Sequence, residues 1–409
     1  MTPADLAVYD EAADRRHRGL RAQFLLAPDV VFLNHGSFGA CPRPVFERYQ
    51  AWQFELERQP VEFLSRRLPG LLAQARASLA AYLGAEPNDL VYCPNVTTAL
   101  NVVARSLPLR PGDAVLTTDH EYGASERTWR FVCERRGARL VVQHLPLPLT
   151  EAADVVEAVW AGVTPRTRVL FLSHVTSKTA AILPIQPLIE RASAAGIWTV
   201  VDGAHAPGQV PVDLRALGAD FYAGNCHKWL CAPKGAGFVY AAPRVQHLLQ
   251  PLVVGWGWRP EDPGPSPFID EQERQGTRDP AAYLSVPAAI AFQAEHDWPR
   301  VRRECHQLLQ AARAAIAELT GLPPSVPDSP DWYAQMATVP MPPCDPVSLQ
   351  RRLYDAYRIE IPVLVWHDRP YLRLSIQGSN SRADVDRLVE ALAHLLSARS
   401  PVGPASLGA

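Results

Sequence analysis

Lysine is scarce in this chain. Of its 409 residues 40 are basic, and only three of these are lysines, Lys178, Lys228 and Lys234, leaving 37 arginines. The bias reads as the codon usage of a GC-rich genome. It nevertheless leaves any chemistry that requires an amine just three addresses. An excess of charge is lacking as well: 42 acidic residues against 40 basic ones give a net charge of −2. That balance excludes a phosphate-neutralising nucleic-acid surface as the main theme. With 47% apolar residues the chain is equally far from the composition of disordered proteins. No apolar run reaches the ~18 residues of a membrane span, and the opening MTPADLAVYDEAADRRHRG has no apolar core of a signal peptide. The seven cysteines (41, 93, 133, 226, 231, 305 and 344) are odd in number and contain no C-x-x-C pair. Neither a disulfide framework nor a zinc ribbon is indicated, no metal-ligand set is read, and a reducing cytoplasm is the expected setting. Cys226 and Cys231 are read as buried structural thiols.

The length predicts two to three domains. Between residues 88 and 245, apolar runs at 90–93, 114–118, 139–145, 168–175, 197–202, 221–224 and 237–241 alternate with helix-like segments at 97–106, 124–136, 151–161 and 185–195. The runs are continuous rather than alternating, as strands buried on both faces of a parallel sheet are. The expected fold class is therefore α/β, a mainly parallel sheet sandwiched by helices, with ligands beyond the C-terminal strand ends. Two Pro-rich stretches, 251–268 and 323–346, are read as irregular. The remainder predicts a helix over 346–357, strands over 360–366 and 371–376, and a helix over 382–397. Residues 65–295 are assigned to the large domain, 1–64 and 296–397 to a smaller α+β domain, and 398–409 to a flexible tail.

The strongest segment is VVDGAHAPGQVPVDLRALGADFYAGNCHKWLCAPKGAGFVY, residues 200–240. One buried strand ends at Asp202, with His205 in the tight turn that follows. The next ends at Gly224-Asn225-Cys226-His227-Lys228. Partial burial and neighbouring positive charge lower an amine's pKa and free its lone pair to attack a carbonyl. Lys228 sits in such a setting, whereas Lys178 and Lys234 lie in turn-like, solvated contexts. A buried carboxylate such as Asp202 in turn needs a cationic partner. Upstream, the strand LVYC leads through Pro94-Asn95-Val96-Thr97-Thr98 into a helix, and a helix N-terminus with hydroxyls is suited to an anion.

These residues resemble the class V aminotransferase superfamily, pyridoxal 5′-phosphate (PLP) enzymes of fold type I, from the FLNHG segment at 32–36 to the neighbourhood of Arg373. The D-x-x-H pair followed by HKW is specific, unlike a lone glycine loop. The resemblance implies PLP as cofactor, with Lys228 condensing with its aldehyde. Asp202 then keeps the ring nitrogen protonated, so that the ring is an electron sink, and His205 meets the phenolic oxygen. Thr97 and Thr98 are the phosphate candidates, closed by Asn225 and His227. Tyr122 is placed over the ring, with His120 the alternative if the match slips by two residues. Ser177 falls near the phenolic oxygen. Arg373 matches the arginine that binds the substrate carboxylate as a bidentate fork, and Asn34 and His35 are further substrate-binding candidates. Gly276-Thr277, in ERQGTRDP, resembles a segment that reaches a neighbouring subunit's phosphate, which implies a homodimer with shared active sites.

The LNHGSFG, NVTTALN, DHEYGA, SHVTS and GWGW segments look most like the isopenicillin N epimerase-like branch, so an epimerase acting on an amino acid or amino-acid conjugate is the leading expectation. A C–S lyase of sulfur-containing conjugates and a transaminase are the alternatives. Desulfuration through a loop cysteine is disfavoured, since residues 345–372 contain none. An epimerase needs a proton carrier on each face of a planar centre, and only Lys228 is identified. Trp256 and Trp258 could wall a roomy pocket. A non-enzymatic binding protein on the same fold is disfavoured by the intact Lys228, Asp202 and His205 set.

Overall fold

In the computed structural model, which describes residues 9–397, the continuous apolar runs pair into a seven-stranded sheet. A short strand β1 (Val31–Phe32) precedes it. The sheet consists of β2 (Leu90–Cys93), β3 (Ala114–Thr118), β4 (Arg139–Gln143), β5 (Thr167–Ser173), β6 (Trp198–Gly203), β7 (Phe221–Asn225) and β8 (Gly237–Ala241), in the order β2-β8-β7-β6-β5-β3-β4. Pairings among β3 to β7 are parallel, and β8 runs antiparallel to both β7 and β2. Every residue of β2, β3, β7 and β8 is buried, as expected for strands covered on both faces. β4 departs from that expectation: it is the sheet's edge, and Arg139 and Val142 are exposed along it.

The helices Val96–Ser106, Gly123–Arg136, Ala152–Trp160 and Ile185–Ala194 follow β2 to β5 in turn. They lie within one or two residues of their sequence-predicted ends. Residues 249–266 form no helix or strand, as their Pro and Gly content requires.

A second, three-stranded antiparallel sheet has the order β11-β12-β9, built from β9 (Met336–Pro340), β11 (Val363–Trp366) and β12 (Arg369–Ser375). Helices Trp298–Thr320, Pro346–Tyr357 and Arg382–Ser397 accompany it. β9 corrects the reading of 323–346 as wholly irregular. It lies at the edge of its sheet, and its proline, Pro340, is its last residue, where a missing N–H is tolerated. The single strand predicted over 360–366 is two: β10 (Ile359–Glu360) pairs in parallel with β1, and β11 resumes after Pro362. The β1–β10 pairing fastens the N-terminal segment to the C-terminal region, as does His17, whose Nδ1 lies 2.8 Å from the Asn380 carbonyl. The helix Arg43–Arg58, assigned by sequence to the small domain, packs against the helices Ala281–Leu284 and Val286–Glu295, and Trp52 donates its indole N–H to the Leu284 carbonyl at 3.0 Å. The predicted tail, 398–409, lies outside the described residues.

Candidate active site

A cavity of about 210 Å³ opens beyond the C-terminal ends of β5, β6 and β7, and Lys228, Asp202 and His205 all line it. Parallel register makes this convergence: Ser173 of β5 stands beside Asp202 of β6, which stands beside Ala223 of β7. The Asp202 side chain is buried, accepting a hydrogen bond from Ser125 Oγ at 2.9 Å and one from the Ala204 N–H at 3.0 Å. Both donors are neutral, and burial raises the carboxyl's pKa above its ordinary value. The site therefore holds a carboxyl that a cation in the cavity would ionise.

His205 connects Asp202's turn to the lysine. Its Nδ1 accepts from the Trp229 indole at 3.3 Å, which leaves the proton on Nε2, 3.1 Å from Lys228 Nζ. A ring N–H can donate to that amine only if the amine is neutral. The electrostatics agree: burial, then the Arg373 cation, brings the Lys228 pKa down to about 7, and burial holds His205 well below the usual imidazole range.

The main chain of Lys228 is fixed by the N-terminal segment. Its carbonyl accepts from the Cys231 N–H at 3.0 Å and lies 3.1 Å from His35 Nε2. Gly39 packs against the same peptide so closely that a Cβ there would lie 2.4 Å from the Lys228 oxygen. His35 is therefore a buried support behind the lysine and does not line the cavity. Asn34 does not reach the cavity either. Just beyond β1, Asn34 forms an isolated bridge with Ser375, the last residue of β12, and its Nδ2 donates to Glu360 at 3.0 Å. Two residues beyond His35, Ser37 and then Phe38 line the cavity instead.

At the N-terminus of the helix Val96–Ser106, Asn95 caps by accepting from the Thr98 N–H at 2.9 Å and the Thr98 hydroxyl at 3.2 Å. Asn225 Oδ1 accepts from the Val96 N–H at 3.1 Å. Thr98 is thus committed to the cap and absent from the cavity wall, while Thr97, Asn225 and His227 line it. His227 Nδ1 is buried with no hydrogen-bond partner among the described residues. An unpartnered ring nitrogen and a helix N-terminus facing one cavity make a cradle for an anion.

Arg373, on β12, is buried and donates through Nη1 to the Ser177 carbonyl at 2.8 Å and Oγ at 3.3 Å, and through Nη2 to Ser37 Oγ at 2.7 Å. Its Nε is buried without a hydrogen-bond partner among the described residues; Ser37 and Ser177 line the cavity, whereas Arg373 itself is not on its wall. Desolvation lowers its pKa to about 10, so it stays cationic at neutral pH. Of the two candidate rings, Tyr122 lines the cavity and His120 does not. His120 is fully buried, with its nitrogens 2.7 Å from Thr179 Oγ1 and 2.7 Å from the Leu145 carbonyl. Gly276 and Thr277 are exposed and lie off the cavity wall.

Sequence reasoning missed Ser37, Ser125 and Glu121. Glu121 is buried among Thr118 Oγ1 at 3.0 Å, the Ser173 N–H at 3.2 Å and the Ser173 hydroxyl, and burial lifts its pKa to about 7. Its position in DHEYGA, beside a strand end, was the available signal. Ser37 and Ser125 offered none, because a serine's role depends on what tertiary packing sets against it.

The donor set fits a cofactor that carries an aldehyde, a basic ring nitrogen and a phosphate: an amine that loses its proton near pH 7, a buried carboxyl hydrogen-bonded only by neutral donors, and an anion cradle converge on one cavity. The fold and these residues define a lysine-centred α/β enzyme. The family model for aminotransferase class-V matches residues 43–388, and the chain belongs to that family. It is 42% identical to the isopenicillin N epimerase of Amycolatopsis lactamdurans, over 92% of this chain and 97% of that one. It is 40% identical to the isopenicillin N epimerase of Streptomyces clavuligerus, over 91% and 96%. Among solved structures, the cysteine desulfurase CsdA of Escherichia coli superimposes with a TM-score of 0.80 at 25% identity, covering 93% of this chain and 98% of that one.

Proposed function

We propose that this protein is a PLP-dependent epimerase that inverts configuration at the α-carbon of an amino-acid unit in a small substrate, isopenicillin N or a close relative of it. The observation that carries the reading is the amine of Lys228, its pKa brought down to about 7 beside His205, together with Arg373, oriented by Ser37 and Ser177 of the cavity wall. The similarity to two isopenicillin N epimerases over nearly the whole chain supports the choice among α-carbon reactions.

When bound, the cofactor supplies a ring that withdraws electrons from the substrate α-carbon and so acidifies its proton. Asp202 holds a proton on the ring nitrogen and keeps that withdrawal strong. His205, already a donor at Nε2, satisfies the phenolic oxygen. Thr97, Asn225 and His227 receive the phosphate. Arg373 clamps the substrate carboxylate with its planar fork, and Ser37 and Ser177 fix the fork's plane. Lys228 then takes the α-proton on one face. The opposite face needs a second donor, for which Tyr122 is our candidate, since it carries the cavity's exposed hydroxyl-bearing ring.

A C–S lyase is the second reading, because it needs a single base and the cavity offers one amine. A relative at 28% identity, from Arabidopsis thaliana, bears the name probable L-cysteine desulfhydrase. None of the cysteines lines the cavity, so thiol-mediated desulfuration is not part of either reading. A homodimer belongs to the proposal, with the exposed Thr277 reaching a partner's phosphate site. So does a cytoplasmic location, suited to the six buried thiols. No helix among the described residues is long and apolar enough to cross a membrane.

The test is incubation in deuterated buffer with isopenicillin N and with L-cysteine conjugates, followed by chiral analysis and assays for pyruvate and ammonia. Inversion with deuterium at the α-carbon is expected. Pyruvate release without inversion would replace the epimerase by the lyase.

A further inference from the structure

Away from the cavity, three side chains from distant parts of the chain converge on one point at the surface. Asp119 Oδ2 lies 2.5 Å from His144 Nδ1 and 2.7 Å from His367 Nε2. All three donor atoms fall within 4.8 Å of one another. We propose that Asp119, His144 and His367 form a binding site for a divalent transition-metal ion of borderline softness, such as Zn(II).

The placement is built into the two sheets. Thr118 of β3 pairs with Gln143 of β4, and each candidate ligand on this side is the next residue, Asp119 or His144. The Asp119 N–H donates to the Gln143 carbonyl at 3.1 Å, which locks the two strand ends side by side. The third ligand comes from the other sheet. His367 and Asp368 are the two central residues of the β11–β12 hairpin, closed by the Trp366–Arg369 pair, with φ values of 45° and 58°. Two positive values are the geometry of a type I′ turn, which ordinarily selects Asn and Gly. A histidine at the turn presents its ring at the tip, and the Trp366 indole, 3.4 Å from the Asp119 carbonyl, holds that tip over the large sheet.

The ligand set is two imidazoles and one carboxylate, a combination suited to Zn(II) and its first-row neighbours. The carboxylate is positioned by an outer contact of its own. Asp119 Oδ1 is occupied by the Leu145 N–H at 3.1 Å, which aims Oδ2 at the two rings. Lys178 Nζ is 3.4 Å from the Asp119 main-chain carbonyl, not directed at the carboxylate. His120 Nε2 lies 3.8 Å from Asp119 Oδ1 but is engaged by the Leu145 carbonyl. Side chains of His144 and His367 are 58% and 52% exposed, so an ion can enter from solvent and keep water as its remaining ligand. With metal bonds of ~2.0–2.1 Å, tetrahedral donors stand about 3.3 Å apart. The two contacts to Asp119 therefore open by less than about 1 Å, through rotation of half-exposed rings. The ion takes the place of the ring N–H protons that now point at the carboxylate. Each ring binds as neutral imidazole and carries its proton on the other nitrogen, with no change of oxidation state.

The bound ion would bridge the hairpin whose second strand carries Arg373 to the loop that carries Tyr122, three residues after Asp119. It would fix the small sheet against the mouth of the cavity.

The experiment titrates Zn(II) into tag-free, cofactor-saturated protein by calorimetry, with Co(II) absorbance reporting coordination number. The wild type is compared with His144→Ala, His367→Ala and the double variant, whose retained cofactor absorbance shows that they are folded. One saturable equivalent per chain in the wild type, weakened at least tenfold by either substitution and accompanied by a rise in Tm only where binding survives, is the expected result. Absence of saturable binding overturns the proposal, and so does binding that persists unchanged in the double variant. Substitutions that lower Tm without any effect of zinc would likewise overturn it, marking the cluster as a simple ion-paired clamp.

Discussion

A lysine in water keeps its proton until pH approaches about 10.4, and an amine with its proton cannot attack an aldehyde. In this chain Lys228 is brought to about 7, chiefly by burial and secondly by Arg373, with Asp202 pulling weakly the other way. The neutral form is the one His205 Nε2–H can donate to. Capture of the cofactor by apoenzyme is therefore expected to rise with pH through a midpoint near 7 rather than near that of a free lysine. Stopped-flow absorbance as a function of pH measures it, and a midpoint near that of a free lysine, about 10.4, would contradict the burial argument. Arg373→Met should move the midpoint upward, but only by part of the total shift, because burial is the larger cause. Lys228→Ala should abolish both cofactor capture and turnover. Other residue roles were less legible. Asp202, His205 and Lys228 could be read because a strand end, a turn and a scarce amine mark them. Ser37 and Ser125 could not, because their hydroxyls matter only through Arg373 and Asp202, each far away in sequence.

Elements supply the cradle. The helix Val96–Ser106 has two of its first N–H groups taken by Asn95 and Asn225, and Thr97 sits between their two recipients. Asn225→Ala leaves the buried Val96 N–H without an acceptor, a loss of about 1–3 kcal/mol. Asn95→Ala removes the cap, at about 1 kcal/mol. Both variants should lower Tm and weaken cofactor binding in equilibrium dialysis. Thr98→Val should do far less to cofactor binding, since that hydroxyl serves the cap and is not on the cavity wall. Equal losses for Thr97→Val and Thr98→Val would contradict this assignment. At this scale the sequence was most readable where burial was complete. Six of the seven strands of the large sheet stood out because two-sided burial makes apolar runs continuous, and four helices were legible between them. β9 was hidden by its edge position and by the prolines around it, and β4 was overread because an edge strand can be apolar without being covered. The split of 359–366 into β10 and β11 followed from Pro362, whose meaning depended on a pairing with the distant β1.

At the scale of the whole molecule, the N-terminal segment makes the cavity a joint product of chain regions more than 300 residues apart. It pairs with β10, supports the Lys228 peptide through His35 and Gly39, and delivers Ser37 to Arg373. That arrangement was only partly legible, because Asn34 and His35 looked like ligand residues when their packing role belongs to the tertiary fold. It also has a consequence for acid stability. Burial holds seven histidines, His17, His35, His120, His174, His205, His227 and His306, below the ordinary imidazole pKa. Three of them, His35, His174 and His227, are lowered to about 3, about 4 and about 4. A histidine that is neutral when folded takes up its proton first in the unfolded chain. Its contribution is thus intact above about pH 6.5 and is lost progressively as pH falls from there toward the folded value. Carboxyls with raised pKa values, Asp89, Glu121, Asp202, Glu271 and Glu273, act in the opposite sense, but they are fewer than the histidines. Urea unfolding should therefore give a markedly lower stability at pH 5 than at pH 7.5, each fully buried neutral histidine contributing up to about 1.4 kcal/mol per pH unit. His174 separates this effect from general acid denaturation. It lies 3.0 Å from the Tyr222 hydroxyl and outside the wall of the active-site cavity, so His174→Phe removes one titrating group without touching the lysine. The variant should flatten the pH dependence by about that single-proton slope, and an unchanged slope would show that His174 titrates alike in the folded and unfolded chain.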